Sequence, residues 1–218
     1  METENPKLNT EHSKPETVIL RLGHRLPRDE RISTHVALVA RAFGADSMIY
    51  SGQHDSGLES SVLRLVSQWG GGGAVSGSGF SVSNKGNGKL EVESSTSGFS
   101  VSYEKNFRKV IKEHKEKGFV ILHLTMYGLP LPEVLPRLKT QNAKLLIIVG
   151  SEAVPAEVYQ LADFNISVTS QPHSEVAALA IVLDRLMDGK ELGRGFDEMF
   201  KGKVRIEPSE RGKKVIKK

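Results

Sequence analysis

A chain of 218 residues with 38% apolar and 26% charged side chains can close one core, burying roughly 70% of the surface its unfolded form exposes. No stretch approaches the roughly 20 consecutive apolar residues that span a bilayer, and with no cysteine the chain holds neither disulfides nor thiolate metal sites. Seven histidines remain as metal ligands, and none shows the H-E-x-x-H spacing of a zinc helix, so no metal is expected.

The formal charge of +4 is gathered at one end: residues 201–218 carry eight Lys or Arg against Glu207 and Glu210, a net +6, which leaves −2 elsewhere. Such a basic tail suits phosphate groups, each of which adds salt-dependent affinity when neutralised, or it merely solubilises. Charge alone does not decide. Residues 1–16 are polar, lack the charged-then-apolar order of an export signal, and read as a disordered tail on a cytoplasmic protein.

From residue 17 the pattern becomes regular. The apolar run 17–23 predicts a strand, a polar loop spans 24–30, and a helix over 31–43 stops at Gly44, as helices often do at glycine. A strand at 47–51 and a helix at 58–68 follow. Composition then changes: residues 70–98 are mostly Gly, Ser and Asn, and the pentapeptide Gly-Phe-Ser-Val-Ser occurs at 79–83 and again at 98–102. With the alternating Leu90-Glu91-Val92-Glu93 between the two copies, this predicts a duplicated or extended hairpin, a flexible insertion or protruding β-arm. Beyond it come a charged helix over 104–117, a strand over 119–124, a strand over 144–149, a short helix over 155–161, a strand over 164–168 and a helix over 172–187. Strand and helix alternate, and Leu145-Leu146-Ile147-Ile148-Val149 is apolar on both sides. That combination predicts an α/β domain over 17–200, a parallel sheet with helices on both faces, followed by the basic tail 201–218.

In open α/β sheets ligands bind beyond the carboxyl ends of the strands. Three predicted strands end in small or polar loops: Leu124-Thr125-Met126-Tyr127-Gly128, Gly150-Ser151-Glu152-Ala153-Val154, and Val168-Thr169-Ser170-Gln171-Pro172-His173-Ser174-Glu175. Together they can build one pocket, with Gly128 and Gly150 permitting close backbone approach. Neither G-x-G-x-x-G nor G-x-x-x-x-G-K-[ST] follows a strand, which argues against a Rossmann dinucleotide site or a nucleoside triphosphatase.

One charge stands out. Arg41 lies in Val36-Ala37-Leu38-Val39-Ala40-Arg41-Ala42-Phe43, apolar on almost every side of a helix, and an unpaired buried cation costs several kcal/mol. It therefore needs a carboxylate such as Asp46, Asp163 or Asp184, or a bound anion. Thr34, two turns earlier on the same face, is either a helix cap or a site residue; His35 is either a partly buried helix histidine or a base in the right pKa range. His24, Arg25 and Arg28, after the first strand, are solvated loop charges or substrate contacts. Glu152, His173 and Glu175 serve equally as helix-start chemistry or as ligand contacts.

Taken jointly, Thr34 to Ala45, Ile148 to Glu152 and Ser170 to Ile181 resemble, in order, the three motifs of the SPOUT superfamily of RNA methyltransferases. Within it, the runs Leu20-Arg21-Leu22-Gly23-His24-Arg25, His123-Leu124-Thr125-Met126-Tyr127-Gly128 and Gln171-Pro172-His173-Ser174-Glu175-Val176-Ala177 are similar to the archaeal enzymes that methylate the 2′-oxygen of a T-loop cytidine in tRNA. The resemblance covers about 18–69 and 99–192, and the insertion 70–98 is foreign to it. His35 and Pro172 stand where many ribose-methylating relatives carry asparagine.

This resemblance implies a trefoil knot in the carboxyl-terminal half and S-adenosylmethionine held by Leu124, Gly128, Gly150 to Val154 and Val168 to Glu175. It also implies Arg41 at the RNA phosphate and reacting ribose, with His35 as the other candidate for the proton. Thr34, His24, Arg25 and Arg28 then face the substrate, tRNA is the partner, and two copies pair as a homodimer. Two other classes stay open on the residues alone: a non-catalytic RNA-binding protein, and a small-molecule α/β enzyme with another nucleotide ligand.

Overall fold

The computed structural model describes residues 15–71, 80–85, 89–94, 98–141, 143–151, 153–193 and 200–217. The chain opens with β1 (Thr17–His24), α1 (Glu30–Ala42), β2 (Ser47–Gly52) and α2 (Ser56–Trp69), then a hairpin of β3 (Phe80–Lys85) and β4 (Lys89–Ser94). There follow β5 (Ser100–Tyr103), α3 (Phe107–Glu116), β6 (Val120–Pro130), α4 (Leu131–Gln141), β7 (Leu145–Val149), α5 (Ala156–Leu161), β8 (Phe164–Ser167) and α6 (Glu175–Met187). A hairpin of β9 (Val204–Glu207) and β10 (Lys214–Lys217) closes the described chain.

Among the described residues six strands form one sheet in the order β5-β2-β1-β7-β6-β8, every pairing parallel. Both faces are covered, as the two-sided apolar runs require. On one face α1, α2, α4 and α6 bury Val36, Leu58, Val134 and Leu179 against Ile19, Ile147 and Leu122; on the other α3 and α5 bury Ile111 and Val158 against Leu20, Ile148 and Ile121. The predicted α/β fold with a parallel sheet is what the chain forms.

Four departures have local causes. Helix α4 was not expected because Pro130 and Pro132 crowd its start and Pro136 lies inside it; Pro132 sits in the first turn, where its missing N–H has no helical acceptor to lose. Strand β6 runs on to Pro130 because its pairing with β8 slips after Leu124 and resumes at Leu129, leaving Thr125–Gly128 outside the ladder. Gly128 makes that return possible, since a Cβ there would lie 2.4 Å from the Asn165 backbone.

The repeated pentapeptide has two fates. The first copy contributes to β3, which pairs with β4, whereas the second becomes the edge strand β5 beside β2, with Phe99 buried in the core. A duplicated hairpin is therefore not what the repeat builds. Lastly, the basic tail carries secondary structure of its own. Residues 204–217 form the β9–β10 ribbon, attached to the end of α2 through Lys203 N–H donating to Gln68 O at 2.9 Å and a bridge between Gly70 and Lys201. Gly70 has φ 78°, and a Cβ on it would overlap the Phe200 carbonyl oxygen.

Candidate active site at the carboxyl edge of the sheet

The three predicted loops do converge. A cavity of about 600 Å³ opens at the carboxyl ends of β1, β7, β6 and β8, lined from those loops by Leu124, Gly150, Ser151, Val154, Val168, Gln171, Pro172, His173 and Glu175. Arg25 and Arg28 from the β1–α1 loop also line it. Other expected residues shape the loops rather than the wall. Gly128 lets β6 return to β8; Thr169 Oγ1 accepts from Gln171 N–H at 2.9 Å to turn the chain, with Ser170 between them; Ser174 caps α6 by accepting from Val176 N–H. Ala153 lines a shallower neighbouring hollow with Gly23, His24 and Gln53. Glu152 lies outside the described residues.

The cavity also holds residues that the sequence reading passed over. Arg21, on β1, is 1% exposed; its Nη1 donates to the Gly150 carbonyl and its Nη2 lies 3.4 Å from Glu175 Oε1. Among the described residues its Nε has no hydrogen-bond partner. Burial pushes the Arg21 pKa down, and Glu175 and Asp29 oppose that shift. Burial alone would raise the Asp29 carboxyl, but hydrogen bonds and charge from Arg25, with the charge of Arg21, outweigh it and hold the group below its usual range. A lone arginine in Thr-Val-Ile-Leu-Arg-Leu is the same signal that singled out Arg41, and it was there to be read.

His123, on β6, is fully buried on the opposite side of the sheet from Arg21, since its neighbours in the ladder belong to the other apolar cluster. Asn165 Nδ2 donates to Tyr159 O at 2.8 Å, which orients its amide so that Oδ1 accepts from His123 Nδ1–H at 2.8 Å. That leaves Nε2 as the unprotonated nitrogen, and among the described residues it has no partner. Burial lowers the His123 pKa, with the Asn165 bond only opposing it, so the ring is neutral near pH 7. Tyr159 packs edge-on against it at 4.7 Å, and Tyr127, 76% exposed, stands at the rim.

Within one chain the remaining expected residues lie apart from this cavity. Arg41 does not enter this cavity. Its Nε donates to Gly70 O at 2.7 Å, its Nη2 to Trp69 O at 2.8 Å and also to Gly70 O, and its guanidinium stacks on the Phe200 ring at 4.6 Å. Carbonyls at the end of α2 are among its partners. His24 is fully buried, with Nδ1 2.8 Å from Ser33 Oγ and Nε2 3.2 Å from Asp55 Oδ2, so it braces β1 against α1 and α2. Thr34 and His35 face a separate hollow of about 430 Å³, with Arg31, Asp55 and Ser61, and Thr34 Oγ1 donates to the Glu30 carbonyl.

A family model described as tRNA ribose 2′-O-methyltransferase, aTrm56, matches residues 96–216. The tRNA (cytidine(56)-2′-O)-methyltransferase of Methanosphaera stadtmanae is 48% identical over 199 residues, 91% of this chain and 97% of that protein. The enzyme of the same name from Methanopyrus kandleri is 46% identical over 93% of this chain and 97% of its own. This chain belongs to the tRNA ribose 2′-O-methyltransferase family.

Solved structures share the fold. The A. aeolicus TrmH/SpoU tRNA modifying enzyme superposes with a TM-score of 0.52 at 14% identity, covering 87% of this chain and 83% of that one. The SpoU methyltransferase AviRb from Streptomyces viridochromogenes, solved in complex with AdoMet, gives 0.51 at 14% over 83% and 60%. In this methyltransferase the family match takes in β5 through most of β10, so the basic ribbon lies inside it while the β3–β4 hairpin lies outside. Among the described residues no group of three or more His, Cys, Asp or Glu side chains is arranged to hold a metal, and no helix is long and apolar enough to cross a membrane.

Proposed function

We propose that this protein transfers a methyl group from S-adenosylmethionine to the ribose 2′-oxygen of the T-loop cytidine, position 56, of tRNA, in the cytoplasm and as a homodimer. The observation that carries the reading is the cavity where the three family loops meet. Its chemistry fits the donor. Leu124, Val154, Ile166, Val168 and Ala178 supply apolar wall for a nucleoside, while Arg21 Nε and His123 Nε2 are buried polar atoms left for a ligand to satisfy. When bound, S-adenosylmethionine supplies an electrophilic methyl carbon on a sulfonium.

The chain's own residues then have three tasks. The loops exclude water and hold the donor in one pose. Arg25 and Arg28, at the mouth, offer positive charge to an RNA phosphate and so bring the ribose to the cavity. Aligning two reactants can contribute about 7–11 kcal/mol of barrier reduction, and a group accepting the hydroxyl proton adds about 10²-fold to 10⁴-fold.

The second copy supplies what one cavity lacks. Helix α1 packs on α6, and each leaves an isoleucine, Ile32 and Ile181, partly at solvent, which supports pairing through these helices. On this reading Thr34 and His35 of one copy face the cavity of the other, with His35 as one candidate to take the proton. Arg41 backs them from the same helix. Sedimentation equilibrium at the mass of a single chain would sink this arrangement. The placement of β7 between β1 and β6 supports the knotted threading; pulling the chain to full extension tests it, and a contour as long as that of an unknotted chain of 218 residues overturns it. Incubation with unmodified tRNA and labelled S-adenosylmethionine, followed by mass spectrometry of the digest, tests the activity. A 2′-O-methylcytidine at position 56 is expected, and a methylated base or unlabelled RNA overturns the reading.

A further inference from the structure

A guanidinium carries five N–H donors in a fixed fork, and when buried it is stable only if acceptors meet them. Arg21 meets few. One nitrogen donates to the Gly150 carbonyl, Nε has no partner among the described residues, and the contact to Glu175 is 3.4 Å, longer than the roughly 2.7–2.9 Å of a charge-assisted hydrogen bond. The two side chains therefore neutralise each other loosely, without a tight bond, at the edge of the ligand cavity. Glu175 is 31% exposed, so one side of its carboxylate is open to what enters.

A loose pair of opposite charges is a receptor for a ligand that carries both charges on neighbouring atoms. Such a ligand exchanges one weak contact for two close ones, and neither protein charge is left unpaired. The other charges of the wall are less suited to it, because Arg25 is hydrogen-bonded to Asp29 and Arg28 stands at the exposed mouth. We propose that Arg21 and Glu175 together read the amino-acid end of the methyl donor, Arg21 pairing with its carboxylate and Glu175 with its ammonium group. This rests on the donor reading above and adds to it the part of the ligand that the cavity selects. A purely structural Arg21, tying Gly150 to the start of α6, has no reason to distinguish ligands by that end.

The test is a cycle of two ligands and three proteins. Calorimetry compares S-adenosylhomocysteine, which has the amino-acid end, with 5′-methylthioadenosine, which lacks it, on the natural protein, Arg21→Met and Glu175→Gln. The natural protein is expected to prefer the first, and each variant to shrink that preference by about tenfold or more, while affinity for methylthioadenosine changes less than about threefold. Decarboxylated S-adenosylhomocysteine sharpens the assignment: its penalty should persist in Glu175→Gln and vanish in Arg21→Met. An undiminished preference in both variants overturns the proposal. If Arg21→Met does not fold, the result for Glu175→Gln, at a partly exposed position, decides it alone. A folded natural protein that binds neither ligand removes the donor reading and this assignment with it, whereas binding without altered preference removes only the assignment.

Discussion

Arg21 and Arg41 pose one problem in two settings, a guanidinium among apolar neighbours, and the fold answers it differently each time. Arg41 lies on a helix, where a long side chain can reach sideways to the end of another element. The last carbonyls of any helix lack intrahelical donors and carry partial negative charge, and α2 has no basic residue in its own last turn. Arg41 supplies that charge from outside, bonding Trp69 and Gly70 and stacking on Phe200. Arg21 lies on a strand, where the side chain stands perpendicular to the sheet and meets only what crosses its end: one carbonyl, one loosely held carboxylate and the cavity. The first arginine completes a joint. The second is left incomplete beside a ligand site.

The largest effect that separates the two is expected at Arg21. Replacing it by alanine should weaken binding of S-adenosylhomocysteine by about 100-fold or more, since one partner of a desolvated charged contact is removed. Arg41→Ala, measured in the same calorimeter, should stay within about threefold of the natural protein. If Arg41→Ala instead abolishes donor binding, the contrast drawn between the two residues collapses.

Next in size is the stability cost at the joint. Arg41→Ala leaves the Trp69 and Gly70 carbonyls without their donors and should cost about 2 kcal/mol, lowering Tm by roughly 4–8 °C. Hydrogen exchange should quicken at Gly70, whose amide closes α2 on the Val66 carbonyl, and at Lys203, whose amide joins the chain after Phe200 to Gln68 O. Loss of methyl transfer from a variant with unchanged Tm would show instead that Arg41 works on the substrate and not on α2.

Much of this was legible beforehand, and what was not had a physical reason. Strands β1, β2, β7 and β8 and helices α1, α2, α3 and α6 lie within a few residues of their expected places, because periodic burial writes itself into the sequence. The three loops were found by one rule, that ligands bind where parallel strands end. Helix α4 was hidden by its prolines, and the slip of β6 against β8 depends on a distant backbone that Gly128 must pass. Two copies of Gly-Phe-Ser-Val-Ser took different roles because pairing partners, not local propensity, decide which strand joins which sheet. Arg41 was singled out correctly as a charge in need of partners, yet the identity of those partners is a tertiary fact.

Acid sharpens the comparison by a smaller amount. The Trp69 and Gly70 carbonyls that Arg41 bonds do not titrate in the working range, whereas the cavity floor contains His123, whose pKa is held below the usual 6.5 by burial. The unfolded chain therefore takes up a proton first. Stability from this group is complete above about pH 6.5 and is lost as pH falls below it toward the folded value, by at most about 1.4 kcal/mol per unit. His114 on α3 shifts in the same direction, also by burial, so the two must be separated. Denaturant titrations between pH 7 and 5 should give a shallower pH slope for His123→Asn than for the natural protein, and parallel slopes would exclude His123 as a source.

The smallest effect lies in the basic ribbon that the Arg41 joint carries. Lys203 and Arg205 are exposed at and beside β9, on a hairpin whose connection to α2 runs through Gln68, Gly70 and Phe200. If the ribbon meets tRNA phosphates, Lys203→Ala and Arg205→Ala should each lower the slope of log affinity against log salt by about 0.7–0.9, with donor affinity untouched. Arg41→Ala, which removes no charge from the ribbon, should reproduce part of that loss by loosening the base from which the ribbon extends. An unchanged salt slope in all three variants would leave Arg41 as the fastening of a helix end and nothing more, and would return the excess charge to the simpler role of keeping the protein in solution.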